Sequence, residues 1–313
     1  MVIGLNGGLF DSGSNFPKWF NGGSWIKGAY KPTAITEAAS AVMDGNIYCF
    51  GGNSGSPNYR TNICEGYSTK EGGNNWWRIA DYPTLIEGAT ASSYNNVGYI
   101  FGGYNGTYTN YNFAYNIWTN SYTQMTNVPG PGRTNMSSCE LNGQIYVFGG
   151  RSDTHYNICY SFNPTTNTWT ERPAMPQHLW YTTSCSLNGV VYVIGGYNGG
   201  NCVNTTQCFD PNSGTWWYAA NIPTALKAGC CGVINGKIYL SGGSTYYDPA
   251  GLYDYVEEIS IYDPSSGWAV LDTMAFPYGR PGACYGVVNN CLYVVGGGDA
   301  KSNSNYCFVP MHK

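Results

Sequence analysis

The chain has 313 residues, and only 10% of them are charged, with 14 Lys and Arg against 18 Asp and Glu. No basic run occurs, so no nucleic-acid binding is expected, and no stretch approaches about 18 consecutive apolar residues, so no membrane insertion is expected. The polarity is carried by 43 Gly, 29 Tyr and many Asn, Ser and Thr, which favour strands and turns over helices. The composition therefore predicts an all-β protein.

The N-terminal stretch differs from the rest of the chain. Residues 1–20 are rich in Gly and Asn and lack the basic and apolar regions of a signal peptide. We interpret them as a leader or the stump of a connection. Trp25 then precedes Pro32 by seven residues, which is typical of the outermost strand of the later repeats. Residues 21–313 are predicted to form a single domain.

The sequence then repeats with a period of about 50 residues. In each repeat an apolar strand ends in a Gly-Gly pair, and a turn dipeptide such as Asn142-Gly143 precedes most of these strands. Asn-Gly and Asp-Gly favour two-residue hairpins because both central residues need a positive φ. Each repeat is therefore predicted to open with a tight hairpin. The pairs are Gly51-Gly52, Gly102-Gly103, Gly149-Gly150, Gly195-Gly196, Gly242-Gly243 and Gly296-Gly297.

A third strand follows each pair after a loop of variable length, and in the first five repeats an aromatic residue then opens a fourth strand. These aromatic residues are Trp76, Tyr122, Trp169, Trp216 and Trp268. The combined pattern resembles the kelch-repeat family. The resemblance implies a six-bladed β-propeller with four-stranded blades around a channel. Because the last repeat lacks its fourth strand, the strand around Trp25 is expected to complete the last blade and close the ring.

The loops after the Gly-Gly pairs are predicted to carry the ligand surface. They are long and differ between repeats, whereas the hairpin turns between the first two strands are tight, and function tends to lie in variable loops on a rigid scaffold. Tyrosines recur in these loops. The candidate ligand contacts are Tyr59, Tyr104, Tyr197 and Tyr246.

The crossovers between blades supply a second set of candidates. Counting nine residues back from each hairpin turn places Arg133 and Arg280 in blades three and six, which lie opposite each other in a sixfold ring. Two facing guanidinium groups would clamp a carboxylate or phosphate, with Arg151 beside them and Trp180 and Tyr181 as stacking surfaces. The alternative is a structural Arg that binds loop carbonyls, a role that the resemblance to kelch repeats also implies.

The cysteines and histidines give no sign of a metal site. The 12 Cys show no C-x-x-C spacing, and many lie in predicted strands, where a free thiol packs as a small hydrophobic group. We expect mostly free thiols between the blades. We expect neither a metal nor another cofactor.

We interpret the chain as a binding module on an extracellular or virion surface, as in a phage structural protein, with a glycan or a protein as its ligand. Neutral polar loops with tyrosines suit such recognition. One alternative is a cytoplasmic kelch substrate-receptor or cytoskeletal protein-interaction domain. Another is a sugar enzyme similar to the six-bladed kelch sialic-acid mutarotases, with Glu37 and Glu87 as acid–base carboxylates. The sequence contains no catalytic motif, so we expect no enzyme.

Overall fold

The computed structural model describes residues 19–20, 23–55, 59–70, 74–245, 254–273, 279–298 and 302–310. Within these ranges the chain forms 25 strands in six antiparallel sheets. The first strand of each blade contacts the first strand of the next, and that of the sixth blade contacts that of the first. The all-β, six-bladed propeller expected from the sequence is confirmed.

Each blade contains four strands, here called a to d from the channel outward. Blades one to three are β3 (Ala39–Met43), β4 (Asn46–Phe50), β5 (Cys64–Ser68) and β6 (Trp76–Arg78); β7 (Thr90–Tyr94), β8 (Val97–Phe101), β9 (Asn112–Asn116) and β10 (Ser121–Gln124); and β11 (Ser137–Leu141), β12 (Gln144–Phe148), β13 (Cys159–Asn163) and β14 (Thr168–Glu171). Blades four to six are β15 (Thr183–Leu187), β16 (Val190–Ile194), β17 (Thr206–Asp210) and β18 (Thr215–Tyr218); β19 (Cys230–Ile234), β20 (Lys237–Ser241), β21 (Glu258–Asp263) and β22 (Gly267–Thr273); and β23 (Cys284–Val288), β24 (Cys291–Val295), β25 (Asn305–Pro310) and β2 (Gly23–Lys27).

The two sequence signals that located the blades have clear local causes. Asn142 and Gly143 occupy the a–b turn of blade three with φ of 53° and 78°, as a two-residue hairpin requires. At the end of strand b, Gly149 has a φ of 59°, and a Cβ there would lie 2.2 Å from the carbonyl oxygen of Leu179. Only glycine allows the crossover to pack this closely against the strand end.

Strand β2 closes the ring. It pairs with β25 in antiparallel register, with Trp25 opposite Phe308, so the N-terminal strand completes the sixth blade as expected. A short strand β1 (Trp19–Phe20) pairs with the outer side of β2. The boundary proposed between residues 20 and 21 stays a prediction.

The core lies between neighbouring blades, where aromatic side chains of strands b, c and d interlock. The recurring Trp of strand d fastens its blade to the crossover before it, since Trp169 Nε1 donates to the carbonyl of Thr126 at 2.8 Å and Trp216 Nε1 donates to that of Pro173 at 2.8 Å. The cysteines belong to the same packing. All 12 are free thiols, and ten of them are buried.

Candidate functional site

Six backbone hydrogen bonds form a closed ring where the channel opens on the face that carries the b–c loops and d–a crossovers, here called the loop face. One residue just before strand a of each blade contributes its N–H and C=O groups, and each N–H donates to the carbonyl of the blade before it, at 2.7 to 3.3 Å. All six residues have positive φ. We call them the mouth ring, and its members are Glu37, Gly88, Asn135, Tyr181, Ala228 and Gly282.

Two members of the mouth ring carry side chains that meet across the channel. Glu37 and Tyr181 both have a φ of 55°, a conformation that costs about 1–2 kcal/mol for a residue with a Cβ. They belong to blades one and four, which are opposite, and the Tyr181 hydroxyl donates to Glu37 Oε1. Strained backbone that persists in a cleft motivates a hypothesis of function. This pair therefore marks the channel mouth as the candidate site.

The surroundings of the Glu37 carboxyl group shift its pKa in both directions. Burial raises its pKa, the hydrogen bond from Tyr181 lowers it, and the nearby Glu87 raises it further. The cations Lys227 and Arg151 lower it by smaller amounts. Since desolvation is the largest of these effects, the pKa of Glu37 lies above its ordinary value.

A second ring of residues surrounds the mouth ring. In each of blades one to five, the residue before the mouth-ring residue pairs with the residue after Gly-Gly, which in turn pairs with a residue on the return of the b–c loop. These triplets are Thr36, Asn53 and Arg60; Glu87, Tyr104 and Tyr108; Thr134, Arg151 and His155; Trp180, Tyr197 and Cys202; and Lys227, Ser244 and Tyr255. The rigid scaffold thereby places equivalent positions of each loop around the mouth.

Blades three to five contribute what we call the aromatic–cationic arc, formed by Arg151, His155, Trp180, Tyr197 and Lys227. The Arg151 guanidinium carbon lies 4.4 Å from the Trp180 ring centroid, and the His155 ring is parallel to Trp180 at 5.9 Å. Lys227 Nζ lies 5.5 Å from the Tyr197 ring centroid. Cations over aromatic faces are attracted by the ring quadrupole, so this arc concentrates positive charge beside the Glu37 carboxyl group, whose pKa Lys227 and Arg151 lower.

Two donors in the arc lack a hydrogen-bond partner. Trp180 Nε1 and Arg151 Nε are both buried and unpaired, and no acid of the described residues lies within ion-pair distance of Arg151. Both atoms have almost no accessible surface, so they add a local cost without themselves facing the opening. Trp180 is only 5% exposed, so it supports Arg151 from below instead of offering an open stacking surface.

The opposite arc, from blades one and two, is internally neutralised. Arg60 Nη1 lies 3.6 Å from Glu87 Oε1, and Asn53 Nδ2 donates to Glu87 Oε2 at 2.7 Å. Tyr104 packs on Tyr108 at 5.2 Å, and the Arg60 guanidinium lies 5.1 Å from the Tyr104 ring. The charges of this side are therefore already paired with each other.

The predicted clamp between Arg133 and Arg280 is not formed. Arg133 is 1% exposed and donates from Nη2 to the carbonyl of Pro129 at 2.9 Å, while Arg280 is 7% exposed and donates from Nη1 to the carbonyl of Gly296 at 3.1 Å. Each guanidinium also packs on a tyrosine of strand c of its own blade. Both therefore point away from the channel, and the structural alternative describes their contacts correctly.

A register error of one residue explains the failure of the clamp. All six residues aligned by counting nine back from the hairpin turn are buried inside the blades, and they are Ile35, Ile86, Arg133, Leu179, Leu226 and Arg280. In extended chain the next residue points to the opposite side. Counting eight back finds Glu87, Trp180 and Lys227, which lie at the mouth. Lys227 was missed because of this register error. Arg60 was missed because a single cation in a loop forms no recognisable sequence motif.

The remaining candidates are distributed unevenly. Arg151, Tyr181 and Tyr197 lie beside Trp180, with ring centroids of Trp180 and Tyr181 4.5 Å apart, while Tyr104 lies in the opposite arc. Their role as ligand contacts stays a prediction. Tyr59 is 58% exposed at the b–c loop of blade one. Tyr246 lies outside the described residues. Among the described residues, no group of three or more His, Cys, Asp or Glu could hold a metal ion.

Six four-stranded blades with glycine-paired strand ends and variable loops around one channel mouth define a kelch-type propeller, a class of binding module. In agreement, the KLHDC2/KLHL20/DRC7 Kelch-repeats domain family matches residues 88–298. The chain belongs to the kelch-repeat family. Within the described part of the chain, no helix could cross a membrane.

Comparison with known proteins supports the fold of this chain but assigns no activity to it. No curated protein sequence matches the chain significantly. Among solved structures 875 chains match, and one of them, described as the structure of YjhT, has a TM-score of 0.76. It is 18% identical and the match covers 91% of this chain and 96% of that chain. Such a low identity shows the shared fold alone.

Proposed function

We propose that the protein is a recognition module that binds an acidic glycan at the channel mouth through the aromatic–cationic arc. The observation that carries the proposal is Arg151, a guanidinium stacked on the buried Trp180 and, within the described part of the chain, beyond ion-pair distance of every carboxylate. A preoriented guanidinium suits bidentate recognition of a carboxylate. Tyr197 and Tyr181, both partly exposed, supply rigid aromatic contacts next to it.

We further propose that this recognition takes place on an extracellular or virion surface. The support is compositional, since only 10% of the residues are charged and the loops are rich in neutral hydrogen-bonding side chains. A protein ligand at the same face is the competing occupant. It would bury a larger area than a glycan and would engage the loops of several blades.

The test is a glycan array of sialylated, uronic-acid-containing and neutral glycans, followed by titration of any hit. We expect acidic glycans to bind and Arg151→Ala to weaken them at least tenfold, with Arg151→Lys intermediate because it keeps the charge but loses the planar fork. Arg78→Ala is the matched control, since Arg78 lies on strand d and pairs with Asp81 at the outer surface. Binding that favours neutral glycans, or is unaffected by Arg151→Ala, contradicts the proposal.

A second candidate is an enzyme that interconverts the anomers of a sugar acid, and the observation that favours it is Glu37. Its pKa is raised and it accepts a hydrogen bond from Tyr181, so it keeps a proton to higher pH than an ordinary carboxyl group, which suits a general acid. Ring opening would require proton donation to the ring oxygen and removal of the anomeric hydroxyl proton. Following anomer exchange of N-acetylneuraminic acid by NMR tests it. Acceleration that Glu37→Gln abolishes supports the enzyme, whereas binding without acceleration favours the recognition module.

A further inference from the structure

Two of the 12 thiols are not fully enclosed, and they differ in their neighbours. Ten cysteines are buried, whereas Cys202 and Cys291 are half-buried. Cys202 lies in the b–c loop of blade four and donates to the carbonyl of Ser244 at 3.5 Å. Cys291 begins strand b of blade six and has a second thiol beside it, that of Cys307 on strand c. A half-exposed thiol and a second sulfur atom therefore meet in blade six.

The strand register places Cys291 and Cys307 on one face of blade six. Cys307 lies directly opposite Tyr293, and Cys291 precedes Tyr293 by two residues on the same strand. Since side chains alternate along a strand, all three point to the same side of the sheet. The Cys307 thiol donates a hydrogen bond to the Cys291 sulfur, and the Tyr293 hydroxyl donates one to Cys307. The two sulfur atoms are therefore within hydrogen-bonding distance of each other.

The Cys291 sulfur lies next to the a–b turn of blade six, on the face opposite to the mouth, here called the turn face. The Cys291 thiol donates to the carbonyl of Asn289 at 3.4 Å, and the turn residues Asn289 and Asn290 are both exposed. Cys307 lies deeper and is 8% exposed. A small reagent in solution can therefore reach one sulfur atom, while the other is covered.

The hydrogen bond between the two thiols gives them different properties. It lowers the pKa of Cys291, against the opposing effect of burial. The same hydrogen bond, together with burial, raises the pKa of Cys307. At Cys202, by contrast, burial raises the pKa and the nearby Lys227 lowers it by less. Since the thiolate is the nucleophilic form of cysteine, Cys291 is the more reactive of the two half-buried thiols.

Two other thiol pairs show that a neighbouring sulfur is not enough. Cys49 and Cys284 share a hydrogen bond between blades one and six, and Cys185 and Cys231 share one between blades four and five. All four residues are buried, and burial raises the pKa of Cys49. Buried thiols of this kind are chemically inert. The exposure of Cys291 therefore distinguishes the pair in blade six.

We infer that Cys291 and Cys307 form a redox modification site, which a peroxide converts into a disulfide between strands b and c of blade six. In the first step the Cys291 sulfur attacks one oxygen of hydrogen peroxide, the O–O bond breaks, and the thiol proton leaves with the other oxygen as water. Cys291 is then a sulfenic acid. In the second step the Cys307 sulfur attacks the sulfenic sulfur, the S–O bond breaks, and the Cys307 proton leaves with the hydroxyl group as water. Two thiols are oxidised, and one peroxide is reduced to two molecules of water.

The disulfide fastens the blade that closes the ring. Cys307 lies on β25, which pairs with β24 on one side and with the N-terminal strand β2 on the other. A covalent link between β24 and β25 restricts the unfolded chain, so oxidation should raise the melting temperature. The site does not rest on the proposed function, because it lies on the turn face and uses none of the residues of the aromatic–cationic arc.

The experiment exposes the folded full chain to hydrogen peroxide, blocks the remaining thiols with an alkylating reagent and maps all cysteines by mass spectrometry of peptides. We expect peptides that contain Cys291 and Cys307 to become disulfide-linked about tenfold or more faster than Cys202 is oxidised. Dithiothreitol should reverse the link, and the melting temperature should rise with the linked fraction. Cys202→Ala is the matched control and leaves the link unchanged.

Cys307→Ala separates the two steps. It removes the second thiol, so Cys291 should accumulate as a sulfenic acid, which dimedone traps. Thermal melting verifies that this variant folds. If it does not, Cys291→Ala decides, because it should yield neither the linked peptides nor a sulfenic acid in blade six.

Two outcomes overturn the inference. One is oxidation of Cys202 at a rate equal to or above that of Cys291. The other is oxidation of Cys291 to a sulfinic acid without a link to Cys307, which would mean that the second thiol cannot reach the first. Acidic-glycan binding should be equal in the reduced and the linked protein and is measured separately, so either idea can fail alone.

Discussion

Arginines of this propeller lie in two regions, inside the blades and at the channel mouth. Inside the blades, Arg133 and Arg280 are almost fully enclosed and donate to backbone carbonyls. At the mouth, Arg151 is half-buried and stacked on Trp180, and none of the described acids lies within ion-pair distance of it. Arginine therefore packs inside the blade where it lies on the crossover before strand a, and it lies at the channel mouth where it follows the Gly-Gly pair at the end of strand b.

The largest expected effect lies on the enclosed side, at the first crossover. Lys31 is 0% exposed and pairs with Glu65, whose side chain is 4% exposed. Lys31→Ala leaves the Glu65 charge buried and uncompensated, so we expect a loss of about 3–5 kcal/mol in the free energy of unfolding. Chemical denaturation measures it.

Two variants control for this effect. Lys70→Ala removes a pair whose side chains are 63% and 43% exposed, and it should change stability little. Lys31→Met combined with Glu65→Leu should recover most of the loss, because it removes both charges. An equal loss in Lys70→Ala would contradict the distinction between enclosed and exposed charges.

The sharpest contrast between the two regions is Arg133→Ala against Arg151→Ala. The first removes a buried charged donor and its packing on Tyr160, and we expect a loss of about 2–4 kcal/mol in the free energy of unfolding with ligand affinity unchanged. The second should leave stability nearly unchanged and abolish acidic-glycan binding. Melting curves and titrations on both variants measure this, and the reverse assignment of effects would break the comparison.

The fold could be predicted from the sequence because its signals are local. The Asn-Gly turns and the Gly-Gly pairs reflect backbone conformations that few residues adopt, and the Trp of strand d performs the same fastening in several blades. Ring closure by the strand around Trp25 followed from counting strands. These features recur in successive repeats, so a clear example in one repeat supports the assignment of a weaker example in another.

The site could be predicted only in part because it depends on relations between blades. Arg151, Trp180, Tyr181 and Tyr197 were found from their positions beside the Gly-Gly pair or the crossover. The contact of Tyr181 with Glu37 joins residues 144 positions apart in the sequence, and no local pattern encodes it. Whether the Arg133 side chain points into the blade or toward the mouth depends on the strand register to within one residue. Counting residues between turns does not fix the register that closely.

An intermediate effect on stability is expected at Glu37, a mouth residue whose negative charge is destabilised by burial. Its folded-state pKa is raised, so its contribution to stability is complete below its ordinary pKa and is lost as pH rises through the raised value. Glu37→Gln stays neutral, so the stability of the wild type should fall relative to this variant as the pH rises from the ordinary pKa of a glutamate through the raised pKa of Glu37. Thermal melting across this range measures the difference.

A matched variant separates the carboxyl group from its surroundings. Tyr181 donates to Glu37 and lowers its pKa, so Tyr181→Phe should shift the loss of stability to higher pH. The charged groups that face Glu37 are Glu87, Lys227 and Arg151, and their combined influence should remain in both variants. Parallel pH profiles of wild type and Glu37→Gln would contradict a raised pKa.

The smallest effect is expected in the opposite arc, at Arg60. Its side chain is 31% exposed and lies 3.6 Å from Glu87, so Arg60→Ala should cost less than about 1 kcal/mol in the free energy of unfolding. Because this pair is already neutralised, the variant should also change acidic-glycan affinity less than threefold, against the large loss in Arg151→Ala. Titration of the two variants with the same glycan compares them. A comparable loss in both would mean that the ligand spans the whole mouth and that the two arcs act together.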